Sequence, residues 1–204
     1  MHVLENEIPV VDISVAAGEE IYNALATTGC VIITGSYPKA TLNELFQKEP
    51  ITISSQEMAN LCDLHIAFMK TLADKFVKLV GIENLNKENT MSNMTIMECP
   101  NDYTNRFHVN PGFFTFTAVN KQCFEIVIDG DIHRVPYIPN SFIVTIGDAL
   151  SRVSDNVFKA VAHRIDPTLL ARSIPFYYDP SSDFLVTEDD QPTITYGEYL
   201  RNTI

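Results

Sequence analysis

The β-rich half of this chain begins at His108-Val-Asn-Pro-Gly-Phe-Phe-Thr-Phe116, in which a histidine and a turn precede an aromatic, strand-like run. Further strand-like runs follow at short intervals, namely Phe124–Ile128, Phe142–Ile146 and Ser173–Tyr178. Asp129-Gly130-Asp131 is a hairpin signal directly after the first of these. Because the strands come after a helical first part, the sequence predicts an α+β fold, mainly β, built as a β-sandwich or jelly roll.

The N-terminal part of the chain supplies helices that we expect to support these strands. A short β-rich run, Ile8–Ile13, precedes a predicted helix over about Gly18 to Thr27 and a buried strand over Cys30–Thr34. The strongest helical pattern starts with a capping box at Ser54 and continues with apolar residues at helical spacing until Gly81. No repeat, low-complexity tract or linker interrupts the chain, so we expect a single domain over residues 1–204.

Composition narrows the classes of partner. The 204 residues include 14 Lys and Arg against 26 Asp and Glu, a formal net charge of −12, with 46% hydrophobic and 20% charged residues. This balance is typical of a globular protein, and positive charge is not clustered, which argues against nucleic acid or a membrane surface as partner. The apolar runs are too short to span a membrane. Four scattered cysteines without a CxxC pair, and an N-terminus without a secretory pattern, predict reduced thiols and a cytoplasmic location.

Two of the five histidines flank the strands. His108 precedes the first strand-like run, and His163 lies in Phe158-Lys-Ala-Val-Ala-His-Arg-Ile165, just before the last run. Histidines in such positions can meet at the open mouth of a sandwich. Two imidazoles and one oxygen ligand form the facial triad of non-haem iron, which leaves positions open for substrate and O₂. The pattern alone fits two ordinary hydrogen-bonded histidines as well, and these are the commoner case.

The order of the motifs resembles the isopenicillin N synthase-like branch of the 2-oxoglutarate- and Fe(II)-dependent dioxygenases over most of the chain. His108, Gly112 and Thr115 keep the spacing of the family's His-x-Asp-x-Gly-x-x-Thr segment. Ile138-Pro-Asn-Ser-Phe-Ile-Val-Thr-Ile-Gly-Asp148 resembles the family's Pro-x-Ser-x-x-Val-x-x-Gly-Asp strand, and His163 follows in the family's order. The resemblance implies a double-stranded β-helix, or jelly roll, supported by N-terminal helices, with His108 and His163 as ligands of Fe(II).

The implied metal site departs from the family's pattern at its third ligand. Asn110 stands where the family has an aspartate, so the third ligand would be a neutral amide oxygen, a weaker donor than a carboxylate. Glu98 and Cys99 lie near the predicted mouth and are candidates for a substitute ligand, although a strand-edge pair without chemistry is the simpler interpretation.

The implied cosubstrate site departs from the pattern at two anchors. Alignment on Ser173 puts Ala171 where the family has the arginine that holds 2-oxoglutarate. Arg172, one residue along, would face the opposite side of a regular strand, but a bulge or a shifted register would turn it inward, so it is a candidate cosubstrate ligand. Alignment on Cys99-Pro100 puts Ile96 where the family has a cosubstrate-binding tyrosine. Ser173, Tyr178 and Ile96, at the tyrosine position, are further candidates for contact with a ligand.

These features predict a small non-haem oxygenase-like enzyme that uses Fe(II) and O₂ on a small molecule, while the altered anchors argue against ordinary use of 2-oxoglutarate. The alternative is a catalytically silent jelly-roll protein that binds a ligand or a protein partner. The chain is shorter than typical family members between Gly35 and Ser54 and after Tyr178, so we expect a more open pocket or one that a partner protein covers.

Overall fold

The computed structural model describes residues 3–4, 8–15, 18–35, 39–53, 64–81, 91–99, 104–186 and 193–203. Within these residues the helices are α1 (Gly18–Thr28), α2 (Lys39–Leu45), α3 (Leu64–Val80), α4 (Asp148–Val153) and α5 (Tyr196–Thr203). The strands are β1 (Val3–Leu4), β2 (Val10–Asp12), β3 (Cys30–Thr34), β4 (Ile51–Ile53), β5 (Asn93–Cys99), β6 (Phe114–Val119), β7 (Phe124–Ile128), β8 (Asp131–Arg134), β9 (Phe142–Ile146), β10 (His163–Ile165), β11 (Ala171–Tyr178), β12 (Leu185–Val186) and β13 (Ile194–Thr195).

Two sheets form the sandwich in the part of the chain that the structure describes, and β12 and β13 pair in a separate two-stranded sheet. The larger sheet has the strand order β2-β3-β9-β6-β11-β5-β4, and the smaller one has the order β1-β8-β7-β10. Neighbouring strands run antiparallel except in the pairs β2–β3 and β1–β8, which are parallel. Sequence neighbours such as β5 and β6 are separated by β11, which is the kind of crossing that a jelly roll requires. The sandwich that the strand pattern predicts is therefore present.

Each face of the larger sheet covers a different core. On β11, Ile174, Phe176 and Tyr178 face a core shared with α1 and α3, which we call the helix-side core. Ala171 faces the other way, into a core between the two sheets that includes Phe124 and Ile126 of β7, which we call the inner core. This alternation follows from the two-residue period of a strand, and it determines which side chains of β11 can reach a site between the sheets.

The helices match their sequence patterns where the structure describes them. Helix α1 buries Ile21, Ala24 and Leu25, as predicted, and ends at Gly29, whose φ of +66° favours glycine. Helix α3 ends before Gly81, as expected from the helical pattern. Ser54 and the rest of the predicted capping box lie outside the described residues, and so does Cys62. None of the described helices is long and apolar enough to cross a membrane.

Candidate metal centre and cosubstrate site

The two predicted histidines lie side by side between the sheets. The backbone N–H of His108 donates to the carbonyl of His163 at 3.1 Å, and the N–H of His163 donates to the carbonyl of His108 at 2.9 Å. Their ring centroids are 4.6 Å apart. The ring of His163 also stacks on Phe124 of β7, with centroids 5.3 Å apart. The fold thus brings together two residues that are separated by most of the β-rich half of the chain.

The hydrogen bonds of the two rings define which nitrogen carries the proton. Nδ1 of His108 lies 2.9 Å from the carbonyl of Arg106, and Nδ1 of His163 lies 3.1 Å from the carbonyl of Val161. A carbonyl only accepts, so each Nδ1 carries the hydrogen and each Nε2 carries a lone pair. This is the tautomer in which an imidazole binds a metal ion through Nε2.

Both imidazoles are neutral at pH 7. Burial, together with the adjacent His108, lowers the pKa of His163 to about 3. Burial also lowers the pKa of His108, although its hydrogen bond to the carbonyl of Arg106 opposes that effect. Neutral imidazoles are competent ligands, so protonation does not prevent metal binding at this pH.

The side-chain amide of Asn110 faces Nε2 of His163. Its side chain is 3% exposed, and Nδ2 lies 2.6 Å from Oγ1 of Thr115 and 3.3 Å from Nε2 of His163. Because this Nε2 carries a lone pair, the amide donates one hydrogen to His163 and the other to Thr115. The lone pair of His163 therefore already has a partner within the protein.

Helix α4 fixes the backbone on which Asn110 lies. The N–H of Asp148 donates to the carbonyl of Asn110 at 2.8 Å, and the N–H of Ala149 donates to the carbonyl of Pro111 at 3.1 Å. Gly147 and Gly112 approach so closely that a Cβ on Gly147 would lie 2.3 Å from the carbonyl oxygen of Gly112. The first N–H groups of the helix are satisfied by the loop, and the loop in turn has little freedom to move.

The histidines line a small cavity, which we call the histidine cavity. Its volume is about 20 Å³, which is room for about one water molecule. A five-carbon dicarboxylate needs far more space. Around the histidines, the described residues leave less space than the more open pocket that the chain's length predicts. Besides His108, Asn110 and His163, the lining consists of Met97, Thr104, Thr115, Thr117, Phe124, Arg164, Ile165, Ser173, Pro175 and Tyr177.

Arg172 does not reach this cavity, which corrects its assignment as a candidate cosubstrate ligand. Its Nη1 donates to the carbonyls of Phe46 at 2.5 Å and Lys48 at 2.8 Å, and its Nη2 pairs with Glu98 at 3.1 Å. Strand β11 keeps a regular register with β5 and β6, so no bulge turns the guanidinium inward. Ala171, at the arginine position, is 6% exposed and packs in the inner core.

Tyr178 and Ile96 also lie away from the cavity, and their assignment as candidate ligand contacts is wrong. Both pack in the helix-side core, on the opposite face of the larger sheet. Tyr177 and Met97 line the cavity in their place. Strand alternation counted from Ser173 identifies Tyr177, and the pairing of Ser173 with Met97 identifies the second residue.

Neither proposed substitute ligand lines the cavity. Glu98 faces outward and pairs with Arg172, while Cys99 is 2% exposed in the inner core, where burial raises the pKa of its thiol. Among the described residues, no three His, Cys, Asp or Glu side chains come together in a way that could hold a metal ion. Two imidazoles of the right tautomer fit Fe(II) in part. The site does not fit 2-oxoglutarate, because it lacks the space. The arginine that lines it, Arg164, is paired with Glu125 at 2.8 Å, and its guanidinium lies over the ring of Phe107.

The fold and the two facing histidines define a double-stranded β-helix protein with a histidine pair between its sheets. Residues 87–180 match the family model of the 2OG-Fe(II) oxygenase superfamily. The chain is similar to DMR6-LIKE OXYGENASE 2 of Arabidopsis thaliana, with 34% identity over 90 residues that cover 37% of this chain and 26% of the relative. It is also similar to a flavonol synthase/flavanone 3-hydroxylase of Petunia hybrida, with 32% identity over 106 residues that cover 46% of this chain and 30% of the relative.

A solved structure with the same fold is a dioxygenase for auxin oxidation from rice, with a TM-score of 0.74 and 18% identity over 96% of this chain and 94% of the other. The match to the 2OG-Fe(II) oxygenase superfamily covers residues 87–180, a little under half of the chain. The predicted jelly-roll fold and the family resemblance are both confirmed. The sequence matches span less than a third of the length of these curated relatives. The metal-binding roles of His108, Asn110 and His163 stay predictions.

Proposed function

We propose that this chain has lost 2-oxoglutarate-dependent oxygenation and serves as a ligand- or partner-binding protein on the oxygenase fold. The observation that carries this proposal is the hydrogen bond from the amide of Asn110 to Nε2 of His163. In a metal site that lone pair would bind the ion. Here the protein satisfies it without an ion, and a metal ion would have to displace a buried amide before it could bind.

The surroundings of the cavity support the same proposal. A dicarboxylate cosubstrate needs a cation that faces it, because a buried carboxylate without a partner is costly. Ala171 offers no charge, and Arg172 is held on the outer side of β11 by two backbone carbonyls. Arg164 lines the cavity, but the buried carboxylate of Glu125 already pairs with it at 2.8 Å. The family resemblance implies Fe(II), 2-oxoglutarate, O₂ and a small-molecule substrate. The residues that line the histidine cavity, however, provide no binding site for 2-oxoglutarate.

A second candidate function is a metal-dependent oxygenase that oxidises a small molecule without 2-oxoglutarate. It is favoured by one specific observation: the carbonyls of Arg106 and Val161 hold both histidine rings in the tautomer that a metal ligand needs. With the side chain of Asn110 rotated, its amide oxygen would complete a weak facial triad of His108, Asn110 and His163. Fe(II) would then bind and activate O₂ beside the substrate.

Anaerobic equilibrium dialysis against Fe(II), followed by O₂ uptake with and without 2-oxoglutarate, separates the two functions. The proposed loss of activity predicts no stoichiometric Fe(II) binding at micromolar concentrations and no O₂ uptake that depends on 2-oxoglutarate. Stoichiometric iron together with uptake that requires 2-oxoglutarate would overturn the proposal. Stoichiometric iron with uptake that needs only a reductant or a candidate substrate would select the second function. A His163→Ala variant is the control, because it removes one of the two imidazoles.

A further inference from the structure

A second and much larger cavity lies outside the histidine site, and we call it the outer cavity. Its volume is about 510 Å³. It is formed by α2 and the residues that follow it, the end of β6, the segment that leads into β9, and the start of β11. It shares no lining residue with the histidine cavity. Its size falls in the range of about 300–1,000 Å³ that is typical of small-molecule sites.

The lining of the outer cavity combines one cation with amide and apolar groups. Arg172 is the one charged side chain among the residues that line it, although the whole chain has a net charge of −12. Tyr137, which is 39% exposed, and the apolar residues Leu42 and Phe46 supply a surface for a hydrocarbon or aromatic body. Four side-chain amides surround them, those of Asn43, Gln47, Asn120 and Asn140.

The guanidinium of Arg172 is fixed in place and keeps donors to spare. The carbonyls of Phe46 and Lys48 accept from Nη1, and the backbone N–H of Arg172 donates to Oδ1 of Asn120 at 2.9 Å. With the bond from Nη2 to Glu98, three of the five guanidinium N–H groups are used by contacts with the described residues. Two donors remain, on a side chain that is 21% exposed.

The ion pair between Arg172 and Glu98 leaves room for a competing anion. The Glu98 side chain is 70% exposed, and ion pairs with such exposed partners contribute little. A carboxylate on a ligand that is also held by the ring of Tyr137 and by the amides would meet a guanidinium that is already positioned, so little side-chain freedom is lost on binding.

We propose that the outer cavity binds a small organic carboxylate, with its carboxylate on Arg172 and its apolar or aromatic body against Tyr137. This proposal names a class of ligand for the binding function proposed above, and it rests on that function. The geometry of the outer cavity does not depend on the histidines.

Phenylacetate is a suitable probe, because it joins a carboxylate to an aromatic ring, and phenylacetamide is its neutral counterpart of nearly the same shape. In ¹⁵N-correlated NMR spectra of the full chain, the four side-chain amides of the cavity report binding directly. We expect saturable shifts of these resonances with phenylacetate, at a Kd in the low millimolar range or tighter. Phenylacetamide should bind at least about tenfold more weakly, because it lacks the charge that Arg172 recognises.

Variants assign the binding to this cavity. Arg172→Gln should weaken phenylacetate about tenfold or more, but this change also removes bonds to the segment after α2. Two milder changes therefore accompany it. Asn140→Gly removes only a side chain, at a residue whose φ of +59° suits glycine, and Tyr137→Ala removes the ring. Tyr22→Ala is the matched control, since Tyr22 is 38% exposed and lies outside the cavity.

The proposal predicts weaker binding in the Tyr137 and Asn140 variants and unchanged binding in the Tyr22 variant. It is overturned if none of the four amide resonances shifts in a saturable way, if phenylacetamide binds as well as phenylacetate, or if the Tyr22 variant loses as much affinity as the Tyr137 variant. Its failure differs from that of the proposed function. Iron binding and O₂ uptake that requires 2-oxoglutarate would overturn the latter and leave the outer cavity untouched.

Discussion

Replacing Asn110 by aspartate should convert the hydrogen-bonded histidine cluster into a metal site. The aspartate lacks both N–H groups that Asn110 donates, at 2.6 Å to Thr115 and at 3.3 Å to His163. The hydroxyl of Thr115 can rotate and donate to the carboxylate, but Nε2 of His163 then faces a negative charge with its lone pair. A buried polar group without a partner costs about 1–3 kcal/mol, so the metal-free Asn110→Asp variant should lose about 2 kcal/mol of stability. For a chain of this length that lowers the Tm by about 4–8 °C.

A divalent metal ion should reverse this loss in the variant only. A free metal concentration of 100 times Kd adds about 2.7 kcal/mol, which raises the Tm by about 5–10 °C. Co(II) is the probe of choice, because its visible absorption reports coordination while calorimetry reports the Tm. Asn156→Asp makes the same change at an exposed residue and serves as control. If the unchanged protein gives the same Co(II) spectrum and Tm increase as Asn110→Asp, the amide of Asn110 does not block the site. If neither protein binds, His108 and His163 are not placed as metal ligands.

Three further substitutions test the packing around the site. A Cβ on Gly112 would lie 1.6 Å from Oδ1 of Asp179, so Gly112→Ala should lower the free energy of unfolding by about 1–3 kcal/mol. A Tm within about 1 °C of the parent protein would contradict this close contact. Burial raises the pKa of Asp179 to about 7. Between about pH 4 and pH 7 the folded state therefore keeps a proton that the unfolded state releases. The free energy of unfolding falls as the pH rises through this range, by up to about 1.4 kcal/mol per pH unit. Asp179→Asn should flatten this slope in urea titrations from about pH 4.5 to 6.5, and an unchanged slope would refute the assignment. The Glu125 side chain is 3% exposed and accepts from Arg134 at 3.0 Å and from Arg164 at 2.8 Å. Glu125→Gln should therefore lower the free energy of unfolding in urea by about 2–3 kcal/mol. A loss below about 0.5 kcal/mol would show that the two ion pairs are replaceable.

Strand alternation explains why the sequence predicts some side chains of the site and misplaces others. The alternation of a regular strand predicts that Ser173 faces the site and that Arg172 faces away. Ser173 lines the histidine cavity, and Arg172 lies on the outer side of β11. The same alternation, counted from Ser173, places Tyr177 inward and Tyr178 outward, so it identifies Tyr177 and not Tyr178 as the residue that faces the site. Ile96 was misplaced because a single alignment on Cys99-Pro100 carries no information on which face of β5 meets the cavity.

Other features of the site depend on contacts that no local pattern encodes. The sequence shows that Asn110 replaces an acid, but not that its amide hydrogen bonds to a ring 53 residues later in the chain. It shows a cation at Arg172, but not the carbonyls of Phe46 and Lys48 that hold it more than a hundred residues away. Backbone carbonyls have no sequence signature, and the outer cavity is formed by segments far apart in the chain. Such sites become visible only when the elements are packed together.

The loss of the metal carboxylate and the loss of the cosubstrate arginine are physically coupled. An arginine at Ala171, which is 6% exposed among apolar residues, would bury a cation that needs an anionic partner such as the cosubstrate's carboxylate. An aspartate at Asn110 would likewise bury an anion against two neutral imidazoles unless a metal ion lay between them. Each buried charge is tolerated only while its ligand is bound, so a protein that no longer binds the ligand becomes more stable when the charge is removed. Asn110 and Ala171 are both neutral and buried, as expected for a protein in which these ligands no longer bind. A chain in which only one of the two positions had changed would retain an unpaired charge in its core.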